Sequence, residues 1–388
     1  MNAFKTIFFN KTNVKIFLFW DIRDKSAEKI IFSELRYKRI DRNFRKLFFD
    51  FGLSMPALFA SVNWIRFQYI NSYPLKTNLY IAYLHGVLKV ILPKIIVAVN
   101  GVNTPIFGHL ANSLPEVKFV GVYQFQMRKV SCNRVIPSLA EYYVFGKWDS
   151  DQLTNIGQLE NRVHVTGSLY SGLYSSIKSK FNKILYDVCL ISTITLKEHK
   201  LIEDNEKILL QYLKKYVDEY FPEMRICVAC RVYDKNTRYT LKRERKLYSD
   251  GLPGCNIDYI VGGVNGDGFS SYRAISASKI VISQNSTIAY EAMGWGHKTL
   301  FCQPLRSNGI KSVHIPLPLD LKYSVIDQDF TRFSKLINEL FMLTGDQYKD
   351  NVKNNMEKYC YYDKSNPTHD IIRQRILSRS EEHTSELQ

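Results

Sequence analysis

The sequence predicts an α/β protein built from two doubly wound, Rossmann-like domains that face a central cleft. Along most of its 388 residues, apolar runs typical of buried strands alternate with longer stretches typical of helices. The alternation stops near residue 170 and starts again near residue 185. A chain of this length suffices for two domains of roughly 100–200 residues each. We therefore expect ligands to bind beyond the carboxyl ends of parallel strands.

The first predicted domain covers residues 1–170. Helices are expected at residues 33–49 and 149–156, and the Ser- and Lys-rich segment 171–184, which has no strand or helix period, is expected to be a linker. The apolar runs of this domain predict strands at residues 14–20, 93–99, 117–123, 142–145 and 162–165.

The second predicted domain covers residues 185–378, and its strands and helices alternate more regularly than those of the first. The last ten residues, RSEEHTSELQ at 379–388, resemble the translation of a sequencing adapter. We expect them to have no regular structure and to remain unpacked. The predicted strands are 185–191, 225–229, 258–261, 279–283 and 298–302, and the predicted helices are 197–220, 271–277, 287–294 and 329–343.

The composition is that of a folded protein with an unusually basic surface. Apolar residues make up 45% of the chain and charged residues 23%, and 25 Tyr with 23 Phe argue against disorder. The formal net charge of +16 would attract nucleic acid, an anionic membrane or a phosphorylated substrate. A nucleic-acid-binding protein is an alternative that rests on this charge alone, because clustered aromatic and basic binding motifs are missing. We expect no nucleic-acid partner.

Several features favour a cytoplasmic location. The beginning of the chain has no export signal, and the seven cysteines are scattered and odd in number, as expected for reduced thiols. Cys227 and Cys230 lie three apart in a predicted strand and so point to opposite faces, which favours core packing over metal binding. Residues 35–49 predict a basic helix with an apolar stripe. It could contact the inner face of an anionic membrane or pack on the first domain.

The passage at residues 277–301 carries the most chemistry. A buried strand is predicted to end at Ser283, and small polar residues open a helix at Ser286 and Thr287. Backbone N–H groups and the positive end of the helix dipole would then favour an anion such as pyrophosphate. Glu291 follows about one helical turn later, where it could reach a hydroxyl pair such as that of a ribose. The alternative is an N-capped amphipathic helix with a solvated Glu.

This passage resembles the donor-binding signature of GT-B glycosyltransferases, especially those that assemble bacterial lipopolysaccharide and capsule. It is also similar to polyol-phosphate transferases and sugar-nucleotide 2-epimerases of the same fold, and residues 145–148 and 165–168 resemble the family more weakly. The resemblance implies a nucleotide-sugar donor, a glycan or lipid-linked acceptor, an acceptor-side first domain and a donor-binding second domain. Retaining members carry two Glu separated by seven residues. Ser283 stands at the first of these positions, which implies an inverting enzyme.

The resemblance also implies which residues bind the donor. Arg231 follows the predicted strand 225–229, where relatives have a phosphate-binding cation, and Arg suits bidentate phosphate contact. Gly262 and Gly263 stand where relatives approach the base with backbone groups. The alternatives are a surface Arg at a strand end and ordinary turn glycines. The complete expected donor site is Arg231, Gly262, Gly263, Asn285, Ser286, Thr287 and Glu291.

An inverting transfer needs a base that takes the proton of the acceptor hydroxyl. In many enzymes of this fold the base follows the first strand, which makes Asp21 the first candidate and Asp24 the second. His109, after the predicted strand 93–99, is the third. Gln124 and Gln126 stand where some relatives have a His, so they are expected substrate contacts. For either Asp, a solvated loop residue remains the alternative.

No cofactor and no metal are expected. The sequence has no Asp-x-Asp pair beside a predicted strand end and no His or Cys spacing typical of a metal site. Metal-independent enzymes of this kind need other cations for the leaving phosphate. Arg, Lys and the N-terminus of the helix at residues 287–294 would supply them.

Overall fold

The computed structural model describes residues 16–19, 37–40, 61–62, 75–99, 105–123, 139–177, 183–193, 200–230, 238–262, 269–306 and 318–385. The chain divides into two compact units. Unit 1 comprises residues 1–144, 149–169 and 368–388, and unit 2 comprises residues 145–148 and 170–367.

Each unit contains one parallel six-stranded sheet among the described residues. The sheet of unit 1 has the order β2-β1-β3-β4-β5-β6, and that of unit 2 the order β12-β11-β10-β7-β8-β9. The first six strands are β1 (Ile16–Phe19), β2 (Tyr37–Ile40), β3 (Ile95–Val99), β4 (Lys118–Val122), β5 (Glu141–Val144) and β6 (Val163–Val165). The other six are β7 (Tyr186–Ile191), β8 (Ile226–Ala229), β9 (Ile257–Ile260), β10 (Ser278–Ser283), β11 (Thr299–Cys302) and β12 (Ser324–Val325).

Helices connect the parallel strands, as such sheets require. They are α1 (Leu75–Ile91), α2 (Pro105–Ser113), α3 (Lys147–Asn155), α4 (Leu169–Ile177), α5 (Lys200–Tyr220), α6 (Arg238–Gly251), α7 (Ser270–Ser276), α8 (Thr287–Gly294), α9 (Phe330–Met342), α10 (Gly345–Tyr359) and α11 (Thr368–Ser385). None of the helices in the described ranges is both long and apolar enough to cross a membrane.

The strands of unit 2 are buried because helices cover the sheet. Every residue of β8 and β11 is buried, as are five of the six residues of β7. On α5, Leu209, Leu213 and Tyr216 recur at helical spacing and are buried against this sheet. Cys227 and Cys230 are both buried free thiols, which confirms that this pair serves core packing.

The basic helix predicted at residues 33–49 is wrong at its centre. Residues 37–40 form strand β2, which pairs in parallel with β1 in the register Ile16↔Tyr37. β2 lies at the edge of the sheet, and charged residues such as Lys38 and Arg39 are common on edge strands. The remaining residues of the predicted helix, and with them the proposed membrane-facing stripe, lie outside the described part of the chain.

Residues 171–184, predicted as a linker, begin in a helix. Leu169, Leu173 and Tyr174 are spaced as on one helical face and are all buried in α4, so the helical period was hidden among Ser and Gly residues. Their burial explains why residues 171–177 are helical.

The C-terminal residues also depart from the predicted domain pattern. Residues 368–378 belong to unit 1, although we expected them in the second domain. Thr368 Oγ1 donates to the Thr166 carbonyl oxygen at 2.5 Å, and Ile372 and Ile376 are buried. α11 continues to Ser385, so the expectation of no regular structure is wrong for residues 379–385. A helix that has already formed extends at little cost per residue.

Candidate functional site

The sheet of unit 2 has a topological switch point between β7 and β10. From β7 the chain adds β8 and β9 on one side and then returns to add β10, β11 and β12 on the other. This is the strand order of dinucleotide-binding Rossmann domains. The connections after β7 and β10 therefore diverge and leave a crevice at the carboxyl ends of these two strands. Ligands of open α/β sheets bind in this crevice.

The connection from β10 to α8 has the geometry of an anion site. The Ser283 hydroxyl oxygen accepts a hydrogen bond from the Ser286 backbone N–H at 3.2 Å, which closes a tight turn at the strand end. Ser286 is in the extended conformation and makes no side-chain cap to its helix. Ser286 and Thr287 are half-buried. The first-turn N–H groups of α8 and its positive dipole end thus lie at the crevice.

Glu291 is buried, with 2% of its surface exposed. Its Oε2 accepts a hydrogen bond from the Tyr272 hydroxyl at 2.5 Å, and burial together with this carboxylate raises the pKa of Tyr272. The ring of Tyr272 lies 5.3 Å from that of Tyr174 and 5.4 Å from that of Trp295, centroid to centroid. The alternative of a side-chain-capped helix with a solvated Glu is therefore wrong on both points.

Gln284 is turned away from the crevice by a buried hydrogen-bond network. Its amide nitrogen donates to the Ile202 carbonyl oxygen at 3.0 Å and to the Glu206 carboxylate. Glu206 also accepts from Thr193 Oγ1 at 3.0 Å and from the Tyr248 hydroxyl. Burial raises the pKa of Glu206. This network ties the connections after β7 and β10 to α5 and α6, and sequence reasoning missed it.

Arg306 is a second residue that sequence reasoning missed. It follows β11, the neighbour of β10, and lies at the same carboxyl edge of the sheet. Its Nε is buried and has no hydrogen-bond partner among the residues that the structure describes. The preceding Leu305 backbone N–H donates to Asn205 Oδ1 at 2.9 Å, which fixes this turn against α5. An Arg four residues after a predicted strand was the signal that could have found it.

The structure brings together only part of the expected site. Asn285, Ser286, Thr287 and Glu291 are grouped around the start of α8, as expected. Gly262 is buried just after β9, three strands along the same sheet from β10. Four expected site residues lie outside the described part of the chain: Asp21, Asp24, Arg231 and Gly263. Gln124 and Gln126 lie outside it as well.

His109 belongs to unit 1 and lies on α2, the helix that follows β3. It is half-buried, and burial lowers its pKa below the ordinary value of 6.5. The ring is therefore mostly neutral at pH 7, which is the state that can accept a proton. Within the described ranges, no group of three or more His, Cys, Asp or Glu is placed to hold a metal ion.

The two weaker sequence resemblances have structural explanations. The Phe145 carbonyl oxygen accepts a hydrogen bond from the Tyr361 backbone N–H at 2.8 Å. The Thr166 carbonyl oxygen is the acceptor for Thr368. Residues 145–148 and 165–168 therefore anchor the chain that follows α10.

The parallel sheets and the switch-point site define a GT-B fold enzyme class, and comparison with solved structures agrees. The UDP-GlcNAc 2-epimerase of Neisseria meningitidis, solved with UDP-GlcNAc, is 12% identical with a TM-score of 0.57, over 95% of this chain and 99% of that chain. The wall teichoic acid polymerase TagF is 11% identical with a TM-score of 0.55, over 100% and 95%. S. aureus MnaA with UDP is 15% identical with a TM-score of 0.54, over 96% and 97%.

At these identities the likeness shows the fold alone. The family is shown by sequence: residues 174–371, just over half of the chain, match the profile of a family described as "putative O-antigen biosynthesis protein". The chain belongs to this family. No curated protein sequence matches it.

Proposed function

We propose that this protein is a glycosyltransferase that moves a sugar from a nucleotide-sugar donor to a cell-envelope glycan acceptor with inversion. The observation that carries the proposal is the uncapped start of α8 at the switch point, with the carboxylate of Glu291 buried one turn away. Membership of an O-antigen biosynthesis family supports a glycan product. The solved relatives that contain UDP or UDP-GlcNAc support a nucleotide-sugar ligand for this fold.

The donor would bind through its phosphates and its ribose. The phosphates would accept hydrogen bonds from the first-turn N–H groups of α8 and from the hydroxyls of Ser286 and Thr287. Arg306 would supply a cation and Arg231 a second one. Glu291 would accept a hydrogen bond from a ribose hydroxyl, because a carboxylate offers about four lone-pair positions and Tyr272 fills one.

The transfer would be a single displacement. An acceptor hydroxyl oxygen bonds to the anomeric carbon of the donor, while the bond from that carbon to the phosphate oxygen breaks. The hydroxyl proton passes to a base, for which Asp21 remains the first candidate and Asp24 and His109 the others. Negative charge grows on the leaving phosphate. The dipole of α8 and Arg306 would stabilise it without a metal.

A second candidate is a sugar-nucleotide 2-epimerase. The observation that favours it is the likeness to the N. meningitidis epimerase over nearly the full length of both chains. An epimerase would use the same donor site, but it would change the sugar without any acceptor.

Product analysis separates the two candidates. The protein is incubated with UDP-, GDP-, dTDP- and CMP-activated sugars, each with and without a lipid-linked glycan acceptor. A transferase releases nucleotide and extends the glycan only when the acceptor is present. Conversion of a donor into its 2-epimer without acceptor, and no glycan extension, would establish the epimerase instead.

The base is tested by Asp21→Asn, which keeps the size of the side chain but cannot accept the proton. This variant should bind donor as the wild type does, while turnover falls by roughly 10²–10⁴-fold. Turnover at the wild-type rate would move the role to Asp24 or His109.

A further inference from the structure

Unit 1 contains a cavity at the edge of its sheet opposite to the carboxyl ends. Ile95 begins β3, Lys118 begins β4 and Glu141 begins β5, and all three line the cavity. Arg375 of α11 lines it from outside the sheet. Its volume is 420 Å³. It is separate from the donor site, which belongs to the sheet of unit 2.

The charged side chains that line the cavity are mainly cationic. Lys118, Arg162 and Arg375 face a single carboxylate, that of Glu141, so the lining has a net charge of +2 (three minus one). Glu141 is buried and accepts a hydrogen bond from the Tyr143 hydroxyl within its own strand. A protein hydroxyl thus already binds the carboxylate, which leaves an excess of positive charge for a ligand.

The printed polar contacts of the two arginines are with neutral groups. Arg162 Nη1 donates to the Leu139 carbonyl oxygen at 3.4 Å, and Arg375 Nη1 lies 3.4 Å from His164 Nε2. Both contacts are longer than the usual 2.7–2.9 Å of a charge-assisted hydrogen bond. An anionic oxygen in the cavity would therefore give both guanidinium groups a stronger partner than they have here.

The rest of the lining is apolar. Val117, Phe119, Leu139 and Ile376 contribute to it, and each of them is buried. An apolar cavity of about 150 Å³ holds one benzene molecule. A cavity of 420 Å³ therefore has room for about two fused rings and an acidic group. Ligand pockets of this size combine an apolar lining with a few polar groups.

We propose that this cavity is a second binding site, for a small organic anion with an apolar body, such as an aryl phosphate, sulfonate or carboxylate. Calorimetric titration with 1-naphthyl phosphate tests the proposal, and 1-naphthol and inorganic phosphate each supply one half of that ligand. 1-Naphthyl phosphate should bind at least about tenfold more tightly than either half, because only it uses both parts of the lining. Equal affinity for inorganic phosphate, or no binding of 1-naphthyl phosphate, would overturn the proposal.

Three variants locate the bound probe. Arg375→Gln removes one exposed cation of the lining, and Ala111→Phe fills part of the cavity from α2. Each should weaken 1-naphthyl phosphate binding by about tenfold or more. Arg373→Gln is the matched control, since Arg373 lies on the same helix but pairs with Asp370 at 2.8 Å, and its effect should stay within about twofold. Unchanged melting temperatures establish that the variants are folded.

Arg306→Gln separates this site from the donor site of unit 2. It should leave binding of 1-naphthyl phosphate unchanged even if it weakens binding of a nucleotide sugar. Loss of probe binding in Arg306→Gln, with wild-type binding in Arg375→Gln, would show that the probe occupies the donor site and would refute the second site.

Discussion

Two buried glutamates near the same sheet edge have different partners and therefore different roles. Glu206 accepts hydrogen bonds from side chains that follow β7 and β10, so it fixes the shape of the crevice floor. Glu291 accepts from Tyr272 on α7 and lies on the helix whose N-terminus reaches the crevice. We therefore expect Glu206 to position the backbone and Glu291 to contact the ligand.

Asp187 gives a pH-dependent test at the residue scale. Burial alone would raise its pKa, but hydrogen bonds from Lys279 Nζ at 2.8 Å and from the Arg225 backbone N–H at 2.9 Å lower it below 3.8. A lowered folded-state pKa stabilises the protein above the unfolded pKa, and this stability is lost as pH falls through the folded pKa. Asp187→Asn should therefore be less stable than the wild type at pH 7, with a difference that shrinks below about pH 4.

Unfolding by urea at several pH values measures this difference. Asp218→Asn is the matched control, because Asp218 is 57% exposed and pairs only along its own helix with Lys214. It should change the free energy of unfolding by no more than about 0.5 kcal/mol at any pH. A difference for Asp187→Asn that stays constant down to pH 2–3 would contradict the assigned direction of the pKa shift.

At the scale of elements, most of the unit 2 strands and helix α8 were predictable because their patterns are strong. Residues 287–294 were predicted as a helix and form α8, since a buried apolar strand is followed by small polar residues and later by Gly. α6 was missed because its buried positions include Glu244 and Tyr248, so no apolar stripe marks it. α10 carried an unused signal: Thr344 and Gln347 form a capping box.

Gly294 ends α8 where another segment crosses it closely. A Cβ atom at this position would lie 2.6 Å from the Cys360 carbonyl oxygen, a backbone atom that cannot rotate away. Gly296, at φ 75°, then reverses the chain in the left-handed region. Gly294→Ala should therefore lower the free energy of unfolding by about 1–3 kcal/mol and displace the start of β11.

Gly345→Ala is the control for Gly294→Ala. A Cβ atom at Gly345 would meet nothing within 4 Å, although the residue is also helical, at the start of α10. This change should be neutral or stabilising by up to about 1 kcal/mol. Denaturant unfolding of both variants compares them, and equal stability of Gly294→Ala and the wild type would contradict the close crossing.

At the scale of the whole molecule, the sequence predicted two α/β domains but not how distant segments join. α11 belongs to unit 1 because Thr368 bonds to Thr166 and because Ile372 and Ile376 are buried, and the two bonded residues are 202 positions apart. No local pattern encodes such a pairing. The same reason explains the domain assignment of residues 368–378, which follow unit 2 in sequence but join unit 1 in space.

The candidate site shows the same division between local and distant information. The group Asn285, Ser286, Thr287 and Glu291 could be predicted because one strand–helix junction contains all of it. Glu206 could not, because its partner Gln284 lies 78 residues away and the contact exists only after the sheet forms. Polar residues in a predicted amphipathic helix give no sign that they are buried in a network.

The central claim, that a nucleotide sugar binds at the start of α8, is tested most directly by calorimetric titration of UDP-, GDP-, dTDP- and CMP-activated sugars. One of them should bind the wild type, and Glu291→Ala should weaken its binding by about 1.5–3 kcal/mol, or roughly 10–150-fold. Glu291→Gln can still accept from Tyr272 and guards against misfolding, while Glu223→Ala, an exposed change, should bind as the wild type does. If both Glu291 variants bind the donor as tightly as the wild type, the site is not at α8.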